Sequence, residues 1–153
     1  RMITLDAIDR RILAALQRDA TLSIADLAER VGLSQTPCWK RIKRLEADGV
    51  ITGRVALLDR ALLGQGTTVF VSVRTSQHDE DWLVQFAEAI RAIPEVTEFY
   101  RMSGDVDYLL KIVCRDIADY DRIYKAMIRA AKLSDVSSSF AMEQIKYTTE
   151  VPL

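Results

Sequence analysis

Four of the five residues from Lys40 to Arg44, K-R-I-K-R, are basic, and the apolar residues Cys38, Ile42 and Leu45 recur at steps of four and three. That is the spacing of one helix face. At about 100° per residue the three apolar side chains fall within roughly 60° of one another, while Lys40, Lys43 and Arg44 gather opposite, with Thr36 beside them. One side packs; the other offers cations, whose chemistry is the neutralisation of phosphates. Lys40, Arg41, Lys43 and Arg44, with Arg54 further along, are the candidates for that contact. Ser34, Gln35 and Thr36 stand at the helix start with the reach to touch base edges or an adjacent phosphate, and Gln35 suits an adenine. Trp39 reads as a plug between helices. A charge run alone is commonly no more than a solvated face, so the flanking elements must decide.

A second constellation is the turn Ser103-Gly104-Asp105-Val106-Asp107-Tyr108. As structure it is a hairpin, glycine supplying an unusual φ and aspartate tolerating the turn. As chemistry, two carboxylates beside free backbone N–H groups suit a zwitterion, the amides meeting its carboxylate and Asp105 or Asp107 its ammonium. Catalysis is not indicated. The single histidine, His78, lies in a polar loop beside Asp79-Glu80-Asp81, which does not suggest a Ser-His-Asp arrangement with Ser137-Ser138-Ser139, and no glycine-rich phosphate loop occurs. Cys38 and Cys114 form no CxxC pair and read as buried, reduced thiols, so neither a metal nor a disulfide nor any cofactor is expected.

The elements that must position these residues follow the same logic. Asp6 opens a first helix with Asp9 three residues on, a capping-box arrangement, and Leu5, Ile8, Ile12, Ala15 and Leu16 form its stripe. Ser23 caps a second helix, with Ile24, Leu27, Ala28 and Val31 inward, and Gly32 stops it through positive φ. Thr36 is expected to cap the third, basic helix with Pro37 at its first position, Ser34 being the rival cap. Helix, tight glycine turn, basic helix is the helix-turn-helix pattern, and the preceding helix completes a compact head. After Gly53 the chain is expected to form a strand, a short turn and a linker ending at Gly64 and Gly66.

From Thr67 the pattern changes to alternation. Thr67–Arg74 reads as a strand with Val69, Val71 and Val73 on one face, and Asp79 to Ile93 as a helix closed by Pro94. Val96–Met102 and Val106–Cys114 read as a hairpin, Ile117–Ala131 as a second helix, and Val136–Thr148 as the last strand. Strand, helix, strand, strand, helix, strand is the ferredoxin-like βαββαβ order, both helices on one face. The fold class is therefore α+β, with the head over residues 1–53, a hairpin or linker over 54–66 and the ferredoxin-like domain over 67–153. Phe70, Tyr100, Leu110 and Phe140 are expected to make the uncovered sheet face apolar, which predicts a homodimer through that face.

The totals agree. With 153 residues, 49% apolar, the chain can bury a real core. No run approaches the roughly 18 apolar residues of a membrane helix, and no basic leader precedes an apolar segment, so a soluble, cytoplasmic protein without a membrane partner is expected. Residues 1–60 carry 11 Lys+Arg against 8 Asp+Glu, and residues 61–153 carry 10 against 14. A mildly basic head on an acidic body fits a nucleic-acid reader joined to a domain with another task.

The runs G-L-S-Q-T-P-C-W-K-R-I-K-R-L-E-A-D-G-V-I, S-G-D-V-D-Y-L-L-K and F-A-M-E-Q-I-K-Y-T-T, in that order, resemble the Lrp/AsnC, or feast/famine, family of transcriptional regulators. The resemblance covers almost the whole chain. It implies a winged helix-turn-helix head on double-stranded DNA and a ferredoxin-like body that dimerises, assembles to octamers or related rings, and binds a small amino-acid effector between dimers. It places the turn of Ser103, Gly104, Asp105, Asp107 and Tyr108 in the effector cleft, adds Ser139, Phe140 and Ala141 from the last strand, and gives Met102 as a soft contact for a thiol or aliphatic side chain. T-P-C-W-K-R, F-Y-R-M-S-G and S-S-S-F-A-M-E-Q-I-K-Y-T-T are most similar to a cysteine-responsive branch, so cysteine is the first expected effector, with leucine or another amino acid next. The alternative is an amino-acid-sensing module that uses its head for protein contacts.

Overall fold

The computed structural model describes residues 2–131, 133 and 135–153, with Ala131 described by its backbone only. Two compact units result, one of residues up to Leu57 together with Lys146–Leu153, the other Leu58–Ile145. The head thus takes in eight residues that the expected division assigned to the second domain.

In the first unit, α1 (Ala7–Arg18), α2 (Ile24–Val31) and α3 (Gln35–Ala47) enclose a core of Ile12, Leu13, Leu27, Ala28, Val31, Cys38, Ile42 and Leu45. The local chemistry sets the boundaries. The Asp6 carboxylate accepts from the Asp9 N–H at 2.8 Å and the Asp9 carboxylate from the Asp6 N–H at 3.2 Å, a reciprocal cap on α1. Ser23 Oγ accepts from the Asp26 N–H at 3.0 Å, and Gly32, at φ +74°, turns the chain out of α2. Ser34, not Thr36, is the N-cap of α3, which leaves Pro37 in the third helical position. The first turn has no intrahelical use for a proline N–H at either place, so both placements were open to the sequence. Gly49, at φ +76°, follows α3, and the N–H groups of Val50 and Ile51 both reach the Leu45 carbonyl. The strand expected after Gly53 does not form. No ladder partner is offered there among the described residues, and Val55 and Leu57 remain exposed. Gln17 and Arg18 of α1 instead bond residues 150 and 151, through Val151 O at 3.0 Å and Glu150 Oε1 at 2.8 Å.

The second unit is a four-stranded antiparallel sheet of order β2-β3-β1-β4, with β1 at Thr67–Arg74, β2 at Val96–Arg101, β3 at Tyr108–Cys114 and β4 at Asp135–Phe140. Helices α4 (Glu80–Arg91) and α5 (Ile117–Ala131) supply Phe86, Ile90, Tyr120, Ile123 and Met127 to a core shared with Val69, Val71, Val73, Tyr108, Leu110 and Ile112. Register settles which side chains face the helices, because directly paired residues share a face. Leu110 pairs with Val71, and Phe140 with Val69. Leu110 is consequently fully buried, and Phe140 stands edge-on to Tyr120 of α5 with ring centroids 5.4 Å apart. Both were expected on the open face, and both lie on the helix side. The open face keeps Phe70 and Tyr100, 41% and 50% exposed, beside Leu109 and Val113.

The last strand is also shorter than the expected Val136–Thr148. Its ladder follows β1 as far as Phe140, the Ala141 N–H reaches the Thr68 carbonyl, and β1 then ends. Met142 and Ile145 are left 96% and 89% exposed. Among the described residues no helix is long and apolar enough to cross a membrane.

Candidate nucleic-acid interface and ligand cleft

α3 buries Cys38, Ile42 and Leu45 and leaves Ser34, Gln35, Thr36, Trp39, Lys40, Lys43 and Arg44 exposed. At about 100° per residue, Thr36, Trp39, Lys40 and Lys43 share the outward face. Trp39 is 48% exposed, with the Lys43 Nζ 5.8 Å from its ring centroid, so it is a surface aromatic rather than the plug its size suggested. At about 100° per residue Trp39 lies roughly 60° from buried Ile42, on the flank of the packed face, so the helical angle alone left both readings open.

The cations are not equally available. Arg41 and Arg44 sit on the flank of α3 that turns toward the start of α1. Arg41 Nη1 donates to Asp6 at 2.6 Å and Asp9 at 3.0 Å, and Arg44 Nη2 donates to the other Asp9 oxygen at 2.6 Å. Asp9 is 1% exposed. These hydrogen bonds raise the Arg41 pKa further, Asp6 first, while the Asp9 N–H and then Arg41 hold Asp6 below the usual carboxylate range. Lys43 and Arg54 both face Glu46, at 3.6 Å and 3.2 Å, in exposed pairs of the kind that solvent and salt weaken. Lys40 alone among the five candidate cations has no ion pair among the described residues. The expectation of an unencumbered cationic face is therefore corrected for Arg41 and Arg44. The sequence placed them on the helix, but only the tertiary fold reveals the carboxylate they meet.

In the second unit the β2–β3 turn carries Gly104 at φ +102°, and the Met102 N–H reaches the Asp107 carbonyl at 2.8 Å. Asp107 is tied to the end of β1. Its N–H donates to Val73 O at 3.0 Å, and its carboxylate accepts from the Thr75 N–H at 2.8 Å. Arg74 Nε donates to the Asp105 carbonyl at 3.0 Å. Beside this hairpin opens a cleft of about 150 Å³ lined by Gln77, His78, Leu83, Arg101, Met102, Asp107 and Tyr108. Three of the expected effector residues, Met102, Asp107 and Tyr108, thus line one cleft; Ser103, Gly104 and Asp105 form the turn beside it. Ser139, Phe140 and Ala141 are not brought there. They pair with the opposite end of β1 on the far edge of the sheet, Phe140 against Val69, roughly 13 Å along the strand from Val73 at about 3.3 Å per residue. The cleft also contains Arg101 and His78, which the sequence reading left unused. Arg101 pairs with Tyr108 across the ladder, and that register is what aims it at the cleft.

Comparison with known proteins accounts for both units. Residues 5–52 match the family described as winged helix-turn-helix DNA-binding, and residues 68–151 match the Lrp/AsnC ligand binding domain. The chain is 51% identical over 150 residues, 97% of this chain and 99% of the other, to the DNA-binding transcriptional activator DecR of Escherichia coli (strain K12). It superposes on an AsnC family transcriptional regulator from Agrobacterium tumefaciens with a TM-score of 0.94 at 60% identity, covering 97% of each chain. A transcriptional regulator from Neisseria meningitidis, solved as its L-Met complex, gives 0.91 at 33% identity, again over 97% of each. These are regulators rather than enzymes, in line with a sequence that offers no catalytic constellation. A three-helix head with a polar outward face on its third helix, an open-faced sheet with a cleft at one hairpin, and similarity over nearly the full length lead to one conclusion: the chain belongs to the Lrp/AsnC family of DNA-binding transcriptional regulators.

Proposed function

We propose that α3 lies in the major groove of double-stranded DNA, with Ser34, Gln35 and Thr36 at base edges and Lys40 and Lys43 on phosphates. Arg54 joins them when a phosphate displaces Glu46, and Arg41 and Arg44 secure the helix from behind. The observation that carries this reading is the outward face of Thr36, Trp39, Lys40 and Lys43 on a helix whose other side is locked into the core. Phosphate contacts supply the salt-sensitive affinity and base contacts the sequence preference.

The second unit senses an amino acid. Its cleft offers both signs of charge, Arg101 for a carboxylate and Asp107 for an ammonium, with Met102 as the soft wall that suits a thiol. Cysteine is the first candidate, then leucine or another amino acid. Ser139, Phe140 and Ala141 act on an effector held between dimers, since one chain keeps them apart from the cleft. The open face of Phe70, Tyr100, Leu109 and Val113 supports a homodimer that assembles further, to an octamer or a related ring. A protein that reads DNA in a bacterial cell works in the cytoplasm.

The test is fluorescence anisotropy on duplex DNA from upstream of the protein's own coding region, titrated with salt, with and without free cysteine or leucine. Lys40→Ala weakens binding to all sequences and reduces the salt slope by about 0.9. Gln35→Ala changes the ranking of sequences instead. The effector shifts the parent's midpoint and leaves Asp107→Ala unmoved. Parent-like binding by both α3 variants removes the helix from the groove.

A further inference from the structure

We infer that Asp9 is a specificity-determining positioning residue, which holds Arg44, and together with Asp6 also Arg41, off the phosphates and so restrains binding to unrelated DNA. The inference rests on the groove assignment of α3 and goes beyond it, because it concerns a residue of α1 that touches no DNA.

Capping α1 asks one oxygen of Asp9, and its bond to the Asp6 N–H, at 3.2 Å, is the longest that Asp9 makes as acceptor. The stronger partners are the two guanidinium groups, at 2.6 Å from Arg44 and 3.0 Å from Arg41, each on a different oxygen. A carboxylate only 1% exposed is costly to leave without its cations, so the arginines return to it. The Glu46 pairs differ. Arg44, Lys43 and Arg54 are similarly exposed, but the Glu46 side chain is 30% exposed against 2% for Asp9, so a phosphate displaces Glu46 readily. The head therefore carries two classes of cation. Lys40, Lys43 and Arg54 are spent on phosphate, while Arg41 and Arg44 are withheld.

Two consequences follow for recognition. Binding to random DNA, which depends on the number of phosphates neutralised, is weaker than the basic run K-R-I-K-R implies, and contacts from Ser34, Gln35 and Thr36 take a larger share of the total. The two arginines are also one helical turn apart and both anchored to α1, which fixes the rotation of α3 about its axis and with it the direction of Thr36 and Lys40.

The experiment measures binding of the full chain to a random-sequence duplex as a function of salt. Asp9→Asn keeps the size and an acceptor for the Asp6 N–H but removes the charge. It is expected to bind random DNA more tightly at low salt, with a slope steeper by about 0.9 from the release of Arg44, Arg41 still being held by Asp6 at 2.6 Å. Arg44→Ala in the parent is expected to leave the slope unchanged, and in the Asp9→Asn background to flatten it by about 0.9. A merely structural role for Asp9 predicts weaker binding with no steepening. An unchanged or shallower slope for folded Asp9→Asn overturns the inference, as does a parent slope flattened by Arg44→Ala. Should Asp9→Asn fail to fold, Arg44→Ala in the parent decides alone. If Lys40→Ala also leaves the slope unmoved, the groove assignment has failed and the inference falls with it, a result distinct from the others.

Discussion

At the scale of single residues, this protein uses buried carboxylates as anchors for arginine. Asp119, at the start of α5, repeats in the second unit what Asp9 does in the first. It accepts from Arg115 Nη2 at 3.1 Å, from the Arg115 N–H at 3.0 Å and from Arg122 Nε at 3.1 Å, and is 6% exposed. The Arg115 guanidinium first, then the Arg115 N–H and Arg122, hold its carboxyl well below the usual carboxylate range. With the native pKa depressed, the stabilisation is complete above the unfolded value of about 3.9 and disappears only as pH falls through the lower native value. Asp119→Asn should therefore lower the melting temperature by a constant amount between about pH 7 and 5, and the gap to the parent should close below about pH 4. A gap that instead widens in acid excludes this origin. The Asp119 pairs, at i−4 and i+3, have spacings a sequence can show, whereas Asp9 showed only its capping role there. An ion pair across 32 or 35 residues leaves no periodic trace.

At the scale of elements, much more was legible. The capping box at Asp6, the Ser23 cap, the Gly32 stop and the alternation of Val69, Val71 and Val73 each state a local rule, and the structure follows each. The strand expectations that failed depended on a partner. β4 stops at Phe140 because β1 supplies no further ladder, and Phe140 faces α5 because its register with Val69 fixes its side. The Gly32 turn is the element on which the head depends most. Its φ of +74° belongs to the left-handed region, while a Cβ added there meets no atom within 4 Å. Gly32→Ala should thus cost about 1 kcal/mol, from backbone strain alone, measured by urea unfolding of the full chain. A loss several times larger would require a steric clash, which the open space around Gly32 does not provide.

At the scale of the whole molecule, the proposed homodimer turns on the open sheet face. Phe70 and Tyr100 stand exposed on it, and the Tyr100 hydroxyl donates to Glu98, which also pairs with Lys111 at 3.2 Å. An apolar strip beside a satisfied polar cluster is the composition of a self-complementary contact. Sedimentation should show the parent associated at micromolar concentration and Phe70→Asp shifted toward monomer. If Phe70→Asp sediments like the parent, the subunits meet elsewhere. The sequence predicted this face from topology alone but placed Leu110 and Phe140 on it, because two strands read singly do not reveal which of their faces coincide.

The bonds from Gln17 and Arg18 to Val151 and Glu150 span more than 130 positions along the chain. A ribosome that has finished α3 has not yet made them, so the nascent reader emerges without its last fastenings and gains them only after the sensor has been synthesised. Protease trimming behind Ile145 strips the same fastenings from the mature protein.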